Sequence, residues 1–241
     1  MRVSIIIPVF NEKDTILEAI KKVEAIDLKA FEKQIIIVDD GSEDGTCRIL
    51  KNLENQYEIV YHPKNQGKGM AIRSGFSKAE GEIVLIQDAD LECDPRNYPI
   101  LIQPILEGRA DVVYGSRFKE GVFRHFSFWF YLGNKLLTGF SNLLTGLKIT
   151  DMWTGYKVFR LQVVKEILPY LKSKRFEIEP ELTALVSKKK YRVLEIPLSF
   201  WGQPRTPKQG KKMSWKVGLV AIWYIIKFNL FSPVPGWSGT K

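Results

Sequence analysis

Apolar positions along the chain follow two rhythms. Short runs rich in β-branched residues recur at 3–9 (VSIIIPV), 34–38 (QIIIV), 57–61 (YEIVY), 82–86 (EIVLI), 111–115 (DVVYG) and 193–200 (VLEIPLSF). Continuous runs, rather than apolar–polar alternation, predict strands buried on both faces. Between them the period lengthens: Ile16, Leu17, Ile20, Val23 and Ile26 recur near every 3.6 residues, as do Ile49, Leu50 and Leu53 behind a Gly45-Thr46 start, which predicts helices. Strand and helix alternating through short connections predict right-handed α/β units on a largely parallel sheet. Such sheets bind ligands beyond the carboxyl ends of their strands. PVFNE, DDGSEDGT, HPKNQGKG, QDADLE and GSRF each follow one of the first five runs, so five polar loops are expected on one rim.

The pattern changes in the second half. Residues 126–149 are strongly apolar but interrupted by Gly133, Asn134, Lys135 and Asn142, which reads as an amphipathic segment with too many polar breaks to span a bilayer comfortably. Residues 203–214 are rich in Pro, Gly and Lys and read as a mobile basic loop, or more simply as a solvated linker. A second amphipathic helix is expected over 215–231, carrying Trp215, Trp223 and Tyr224 between Lys216 and Lys227. Its uninterrupted apolar part, Val217 to Ile226, would cover about 15 Å, roughly half a hydrocarbon core. It suits a membrane interface, and equally a helix packed on this protein or on another subunit. Residues 232–241 read as a flexible tail.

Composition narrows the class. The chain has 241 residues, 45% hydrophobic and 12% aromatic, enough for one sizeable core and too apolar for disorder over most of its length. Its two cysteines, Cys47 and Cys93, have no C-x-x-C spacing and there are two histidines. A disulfide framework and a zinc site are therefore unsupported, and a reducing compartment is expected. The opening MRVSIIIPVF has an apolar run too short for a signal peptide, so a cytoplasmic location is expected. The net charge of +9 hides a division: residues 1–115 carry 14 Lys+Arg against 20 Asp+Glu, residues 116–241 carry 22 against 7, and no acid follows Glu195. That split points to a cation site in the first part and anionic partners for the second; solvated surface charge would be spread more evenly.

Three clusters carry the chemistry. In EIVLIQDADLECDP the acids at 88, 90, 92 and 94 alternate just past an apolar run. On extended backbone Asp88 and Asp90 would point the same way and Glu92 could join them, giving hard oxygen ligands for Mg²⁺ or Mn²⁺, whose open positions could hold a diphosphate. The spacing fails an EF-hand, since Cys93 and Pro99 stand where Gly and Glu are required. The plainer reading is helix capping, which Asp94 before Pro95 fits well. In VDDGSEDGT, Asp39 ends a buried strand where it could accept hydrogen bonds from a base or ribose, while Ser42, Asp44 and Thr46 suit a turn and a helix cap. NQGKG matches neither a dinucleotide fingerprint nor a Walker A loop, yet Lys68 at a helix start favours a phosphate or another anion.

Taken together, SIIIPVFNE, IIIVDDGSEDGT, NQGKGMAIRSG, IQDADLECDP, GSRF and DMWTGYKVF resemble, in order and near spacing, the family 2 glycosyltransferases over residues 1–202. The branch they look most like is the dolichyl-phosphate mannose and glucose synthases with their polyprenyl-phosphate relatives. The resemblance implies a GT-A type nucleotide-sugar fold, with 1–202 as catalytic domain and 126–149 facing acceptor and membrane. It implies that Pro8, Phe10, Glu12, Asp39 and Ala89 bind the nucleotide sugar with Lys68 in support, and that Asp88, Asp90 and Glu92 hold Mg²⁺ or Mn²⁺ on the donor diphosphate. It further implies that Arg117 meets the acceptor phosphate, with Arg124 or Lys135 as a second basic residue. Arg205, Gly210, Lys211 and Lys212 match a basic loop that closes over both substrates, the two lysines being interchangeable by one position.

No Q-x-x-R-W motif of the processive synthases is present. A phosphate acceptor, already an anion at neutral pH, needs no general base, whereas a sugar hydroxyl does. The expectation is therefore an inverting hexosyltransferase using a GDP-mannose or UDP-glucose type donor, a polyprenyl phosphate and a membrane surface, peripheral on the cytoplasmic face. No nucleic-acid partner is implied. A hydroxyl acceptor, a peripheral membrane protein whose nucleotide site has lost activity, and a D-x-D phosphohydrolase, which would want Thr or Val where Glu92 stands, are the rival readings.

Overall fold

The computed structural model describes residues 1–29, 31–119, 128–200, 202 and 215–232, the side chains of 215–217 excepted. A seven-stranded sheet forms its centre: β1 (Arg2–Val9), β2 (Glu32–Asp39), β3 (Glu58–Tyr61), β4 (Ile83–Ile86), β5 (Val112–Ser116), β6 (Lys157–Arg160) and β7 (Val193–Pro197), in the order β3-β2-β1-β4-β6-β5-β7. β1 pairs in parallel with β2 and β4, β2 with β3, and β5 with β7, whereas β6 is antiparallel to both β4 and β5. Two antiparallel steps restore direction, so β5 runs with β1–β4 and all five expected loops do leave from one rim. β6 is an addition to the strands read from the sequence. The strand expected over 193–200 stops at Pro197, because Asn97 Oδ1 accepts the N–H groups of Ser199 (3.0 Å) and Phe200 (3.1 Å).

Helices cover both faces: α1 (Ile16–Ala25), α2 (Thr46–Lys51), α3 (Lys68–Lys78), α4 (Tyr98–Leu106), α5 (Phe128–Thr145), α6 (Leu161–Ile167), α7 (Ile178–Lys188) and α8 (Trp215–Ile226), the last continuing as a π-helical turn over Lys227–Phe231. Neighbouring positions of one strand feed opposite cores, as the two-residue period of a strand requires. Ile5 and Ile7 pack with Ile16, Ile20 and Val23 of α1 and Leu101 of α4. Ile6 packs with Ala71, Ile72 and Phe76 of α3 and Leu182 of α7.

The polarity of α5 runs opposite to that of an ordinary surface helix. Its buried residues are Asn134, Thr138 and Ser141, while Trp129, Leu136 and Leu143 are 77%, 65% and 79% exposed. Lys135 is exposed, but the other polar side chains turn inward because they hold backbone: Thr138 Oγ1 accepts the Met152 N–H at 3.2 Å, and Asn142 Nδ2 donates to the Ile149 carbonyl at 2.7 Å. α8 packs on α5 and α7, burying Ala221 and Ile225 but leaving Leu219, Val220 and Trp223 exposed. It thus satisfies the packed-helix reading on one side and keeps an apolar face on the other. No helix among the described residues is long and apolar enough to cross a membrane.

Candidate active site at the strand ends

The loops after β1 and β2 are tied into one unit before any ligand is considered. Asn11, at φ 56°, donates its N–H to Ser42 Oγ (2.9 Å), and its side-chain oxygen accepts the Glu43 N–H (2.9 Å). The Glu12 N–H donates to Thr46 Oγ1 at 2.9 Å and the Lys13 N–H to Asp44 at 3.1 Å. Asp44 also accepts from the Thr46 N–H, at 3.0 Å, which makes SEDGT the turn its composition suggested, while the N-cap position of α2 is taken by Gly45 and carries no side-chain capping bond. The loop after β3 is held by Asp40, whose carboxylate accepts the N–H groups of Gln66 (3.0 Å) and Gly67 (2.6 Å) and sits 2.6 Å from His62 Nδ1. Gly67, at φ 100°, lies so close to residue 175 that a Cβ there would stand 2.5 Å from the Arg175 side chain. Only glycine supplies both that φ and that gap.

These loops frame a cavity of about 620 Å³. Pro8, Phe10, Glu12, Lys68, Asp88, Ala89 and Asp90 all line it, seven of the residues expected from the sequence. Asp39 stands behind the wall: it is buried and accepts the Ser42 N–H at 3.1 Å, while its neighbour Asp40 faces the cavity. Asn65, Gly67, Arg175 and Phe176 also line it and were not expected. Arg175 and Phe176 precede α7 in a stretch with no recognisable motif; they arrive because Glu181 accepts the N–H groups of Lys172 (2.9 Å) and Ser173 (2.8 Å) and fixes that stretch beside Gly67 and Gly69.

The carboxylates after β4 are arranged differently from the extended ladder that the sequence suggested. β4 ends at Ile86, residues 89–92 turn, and Leu91 sits at φ 60°. Asp90 accepts the Glu92 N–H at 3.1 Å. Asp88 and Asp90 line the cavity and Glu92 does not, and among the described residues no three acids, histidines or cysteines are grouped so as to hold a metal by themselves. A pair of hard carboxylates on one cavity still fits Mg²⁺ or Mn²⁺, ions that take one or two protein carboxylates and complete their shell with water and substrate phosphates.

A protein cation answers the acids meanwhile. Lys68 Nζ lies 2.8 Å from Asp88 Oδ1 and 3.3 Å from Glu179 Oε1, and the other oxygen of Glu179 binds Lys157. Burial alone would lower the Lys68 pKa, but Asp88 and Glu179 outweigh it and hold the ammonium above the usual lysine value. Burial works against ionised Asp88 too, and Lys68 overcomes it, keeping that carboxyl below its ordinary range. Gly155 of the DMWTGYK stretch leaves room for this pair: a Cβ there would stand 2.4 Å from Asp88 Oδ2.

Arg117, just past the end of β5, is anchored rather than free-standing. Its Nε and Nη2 donate to the two oxygens of Asp151 at 2.7 and 2.9 Å, its N–H donates to the same carboxylate, and its guanidinium lies 5.7 Å from the Phe130 ring centre. Asp151 is fully buried, and its own N–H donates to Glu195 at 2.9 Å. Arg124, Arg205, Lys211 and Lys212 lie outside the described residues. The root of the basic loop is nevertheless in view: the Gly202 N–H donates to the Glu92 carbonyl at 3.2 Å, where a Cβ would stand 1.7 Å from the Leu91 carbonyl oxygen. Gly202 is thereby packed directly on the acidic turn.

Comparisons with known proteins agree with this geometry. The model of glycosyl transferase family 2 matches residues 4–168. The dolichol-phosphate mannosyltransferase of Pyrococcus furiosus is 31% identical over 205 residues, covering 83% of this chain, which itself spans only 56% of that relative's length. The UDP-N-acetylglucosamine–dolichyl-phosphate N-acetylglucosaminyltransferase of Methanococcus voltae is 30% identical over 213 residues, covering 80% of this chain and 83% of that one. Glucosyl-3-phosphoglycerate synthase of Mycobacterium tuberculosis, solved with Mn²⁺, UDP and phosphoglyceric acid, superposes with a TM-score of 0.69 at 17% identity, over 97% of this chain and 80% of that one. The architecture is thus the GT-A fold.

Proposed function

The chain belongs to glycosyl transferase family 2, and from that premise we propose that it moves a hexose from a nucleoside diphosphate sugar to a polyprenyl phosphate, inverting the anomeric carbon. The observation that carries the proposal is the cavity at the strand ends, which has Pro8, Phe10 and Glu12 on one wall and Asp88, Asp90 and Lys68 on another. The first wall suits the nucleoside and the second the diphosphate. Mg²⁺ or Mn²⁺ held by Asp88 and Asp90 would neutralise charge on the departing diphosphate. Attack from the face opposite that leaving group inverts the centre.

The acceptor reading rests on what the cavity's acids already do. Of the four acids that line it, Asp40 is engaged with Gln66, Gly67 and His62, Asp88 with Lys68, Glu12 with the Thr15 hydroxyl and Asp90 with the Glu92 N–H. A phosphate oxygen requires no proton acceptor, so a site whose acids are thus engaged suits it better than a hydroxyl. Relatives named for dolichyl phosphate support the same acceptor class, and their names span mannose and N-acetylglucosamine. GDP-mannose and UDP-glucose are the donors proposed. The deciding experiment offers purified protein several GDP- and UDP-sugars with Mg²⁺ or Mn²⁺ and a short polyprenyl phosphate, and identifies the product by mass spectrometry. A lipid-linked sugar is expected; transfer to a hydroxyl compound in its place would overturn the acceptor assignment.

The same reading places the protein peripherally on the cytoplasmic membrane face. Its support is the outward apolar face of α5 and α8 next to a half-chain in which cations greatly outnumber acids. Binding to vesicles containing anionic lipid is expected to fall about fivefold or more between roughly 0.05 and 0.5 M salt, as the electrostatic share is screened. Trp129→Glu with Trp223→Glu should remove much of the salt-resistant remainder in co-sedimentation. Binding unchanged by both treatments would exclude this face as the membrane contact.

A further inference from the structure

The alternating charges Asp88, Lys68, Glu179 and Lys157 include two members, Glu179 and Lys157, to which the transfer reaction gives no role. Glu179 lies in the first turn of α7, only 5% exposed, and belongs to none of the motifs that mark the site. Each of its carboxylate oxygens takes a different lysine. Lys157 is immobilised, 1% exposed and donating also to the carbonyls of Met152 (2.9 Å) and Thr154 (2.8 Å). Lys68 is shared: its nearer partner is Asp88, the carboxylate that a divalent cation would need.

An ammonium and a divalent ion cannot both occupy Asp88 Oδ1, because two cations at ligand distance from one oxygen repel strongly in a partly buried site. A lysine displaced from Asp88 without another partner would be left as an uncompensated charge, which is costly. Glu179 is already within 3.3 Å of the same nitrogen. We propose that Glu179 is a positioning residue for a two-place lysine: Lys68 neutralises Asp88 while no metal is bound, and moves wholly to Glu179 when a divalent cation takes that carboxylate. The ammonium then stays at the cavity wall, available to a donor phosphate, and the acidic turn avoids self-repulsion between catalytic cycles. This inference rests on the metal-dependent reading of the cavity.

The test is Mn²⁺ binding to the donor-free protein, followed by electron paramagnetic resonance of the free ion, with unfolding temperatures recorded for each variant. Lys68→Met is expected to bind Mn²⁺ about tenfold more tightly than the unaltered chain, since the competing ammonium is gone. Glu179→Gln is expected to bind it about tenfold more weakly, since Lys68 has lost its second place. In the Lys68→Met background the Glu179→Gln change should alter affinity by less than about twofold, because Glu179 acts through Lys68. Equal affinity in Lys68→Met and the unaltered chain overturns the proposal. So does a Glu179→Gln effect that persists undiminished without Lys68, which would mark a general field effect. Either result leaves the metal reading standing if transfer is lost on chelation, restored by Mn²⁺, and Asp88→Asn abolishes Mn²⁺ binding. Transfer that survives chelation, with no variant binding Mn²⁺, refutes the metal reading and this inference together.

Discussion

Asp90→Ala is expected to lower sugar transfer about a thousandfold, some 4 kcal/mol of transition-state stabilisation, while shifting the unfolding midpoint by no more than about 2 °C. Asp90 lines the cavity and sits on a turn, where it accepts the Glu92 N–H. Its removal takes a hard oxygen from the place where charge develops on the departing diphosphate, at the local cost of the acceptor for the Glu92 N–H. Asp88 offers no such clean test. Without it Lys68 and Lys157 would share Glu179 alone, and lost stability would blur with lost chemistry. Asp90→Asn separates turn from ligand further, since its amide oxygen still accepts the Glu92 N–H but carries no charge. The measurement is initial rate at saturating donor with Mg²⁺ or Mn²⁺, alongside thermal unfolding. Near-normal turnover in Asp90→Ala would remove this residue from the metal's ligands.

Much of this arrangement was legible in the sequence because it depends on local pattern. β1, β2, β4 and β5 each carry an apolar run that is buried, and such a run announces itself without knowledge of its neighbours, while β3, at the sheet edge, is only half-buried. Their loops inherit a common rim from parallel pairing, so the place of the cavity could be read from strand assignment, whereas Pro8, Phe10, Glu12 and Ala89 on its wall were implied only by the family resemblance. β6 could not, because Lys157–Arg160 is four residues long with a cation at each end, a pattern that resembles surface chain. Lys157 is buried only because Glu179 comes to meet it from α7. Arg175 and Phe176 were missed for the same reason: Glu181 and the close approach at Gly67 bring them to the cavity, and neither contact leaves a mark on residues 175 and 176 themselves. The acids after β4 show the converse error. Their alternation reads as strand, but the strand has already ended, and Leu91 in its left-handed conformation closes a turn between Asp90 and Glu92. In α5 the composition was read correctly as amphipathic; which side faces inward depended on the backbone groups of Ile149 and Met152 that its polar residues satisfy.

Arg117→Ala is expected to have two separable effects, and their separation tests the acceptor assignment. The first is on stability. Arg117 makes a two-pronged ion pair with Asp151, which is fully buried, so alanine leaves an unpaired carboxylate in the interior at a cost of about 3–5 kcal/mol, a fall in midpoint of about 10 °C for a chain of this size. The second is on acceptor use: if the guanidinium also meets the lipid phosphate, kcat/KM for polyprenyl phosphate should drop about a hundredfold, near 2.7 kcal/mol, with donor affinity changed less than about threefold. Adding Asp151→Asn removes the stranded charge. The double variant should therefore regain most of the lost midpoint but none of the acceptor efficiency. Arg117→Lys should keep much of the stability and recover acceptor use only in part, because an ammonium cannot reproduce the planar fork toward a carboxylate and a phosphate together. Acceptor efficiency that returns in step with the midpoint would make Arg117 a purely structural residue. A collapse of donor binding with normal acceptor dependence would assign it to the nucleotide side. Only loss of acceptor use that outlasts the repair of the fold places the arginine where two anions must be brought together.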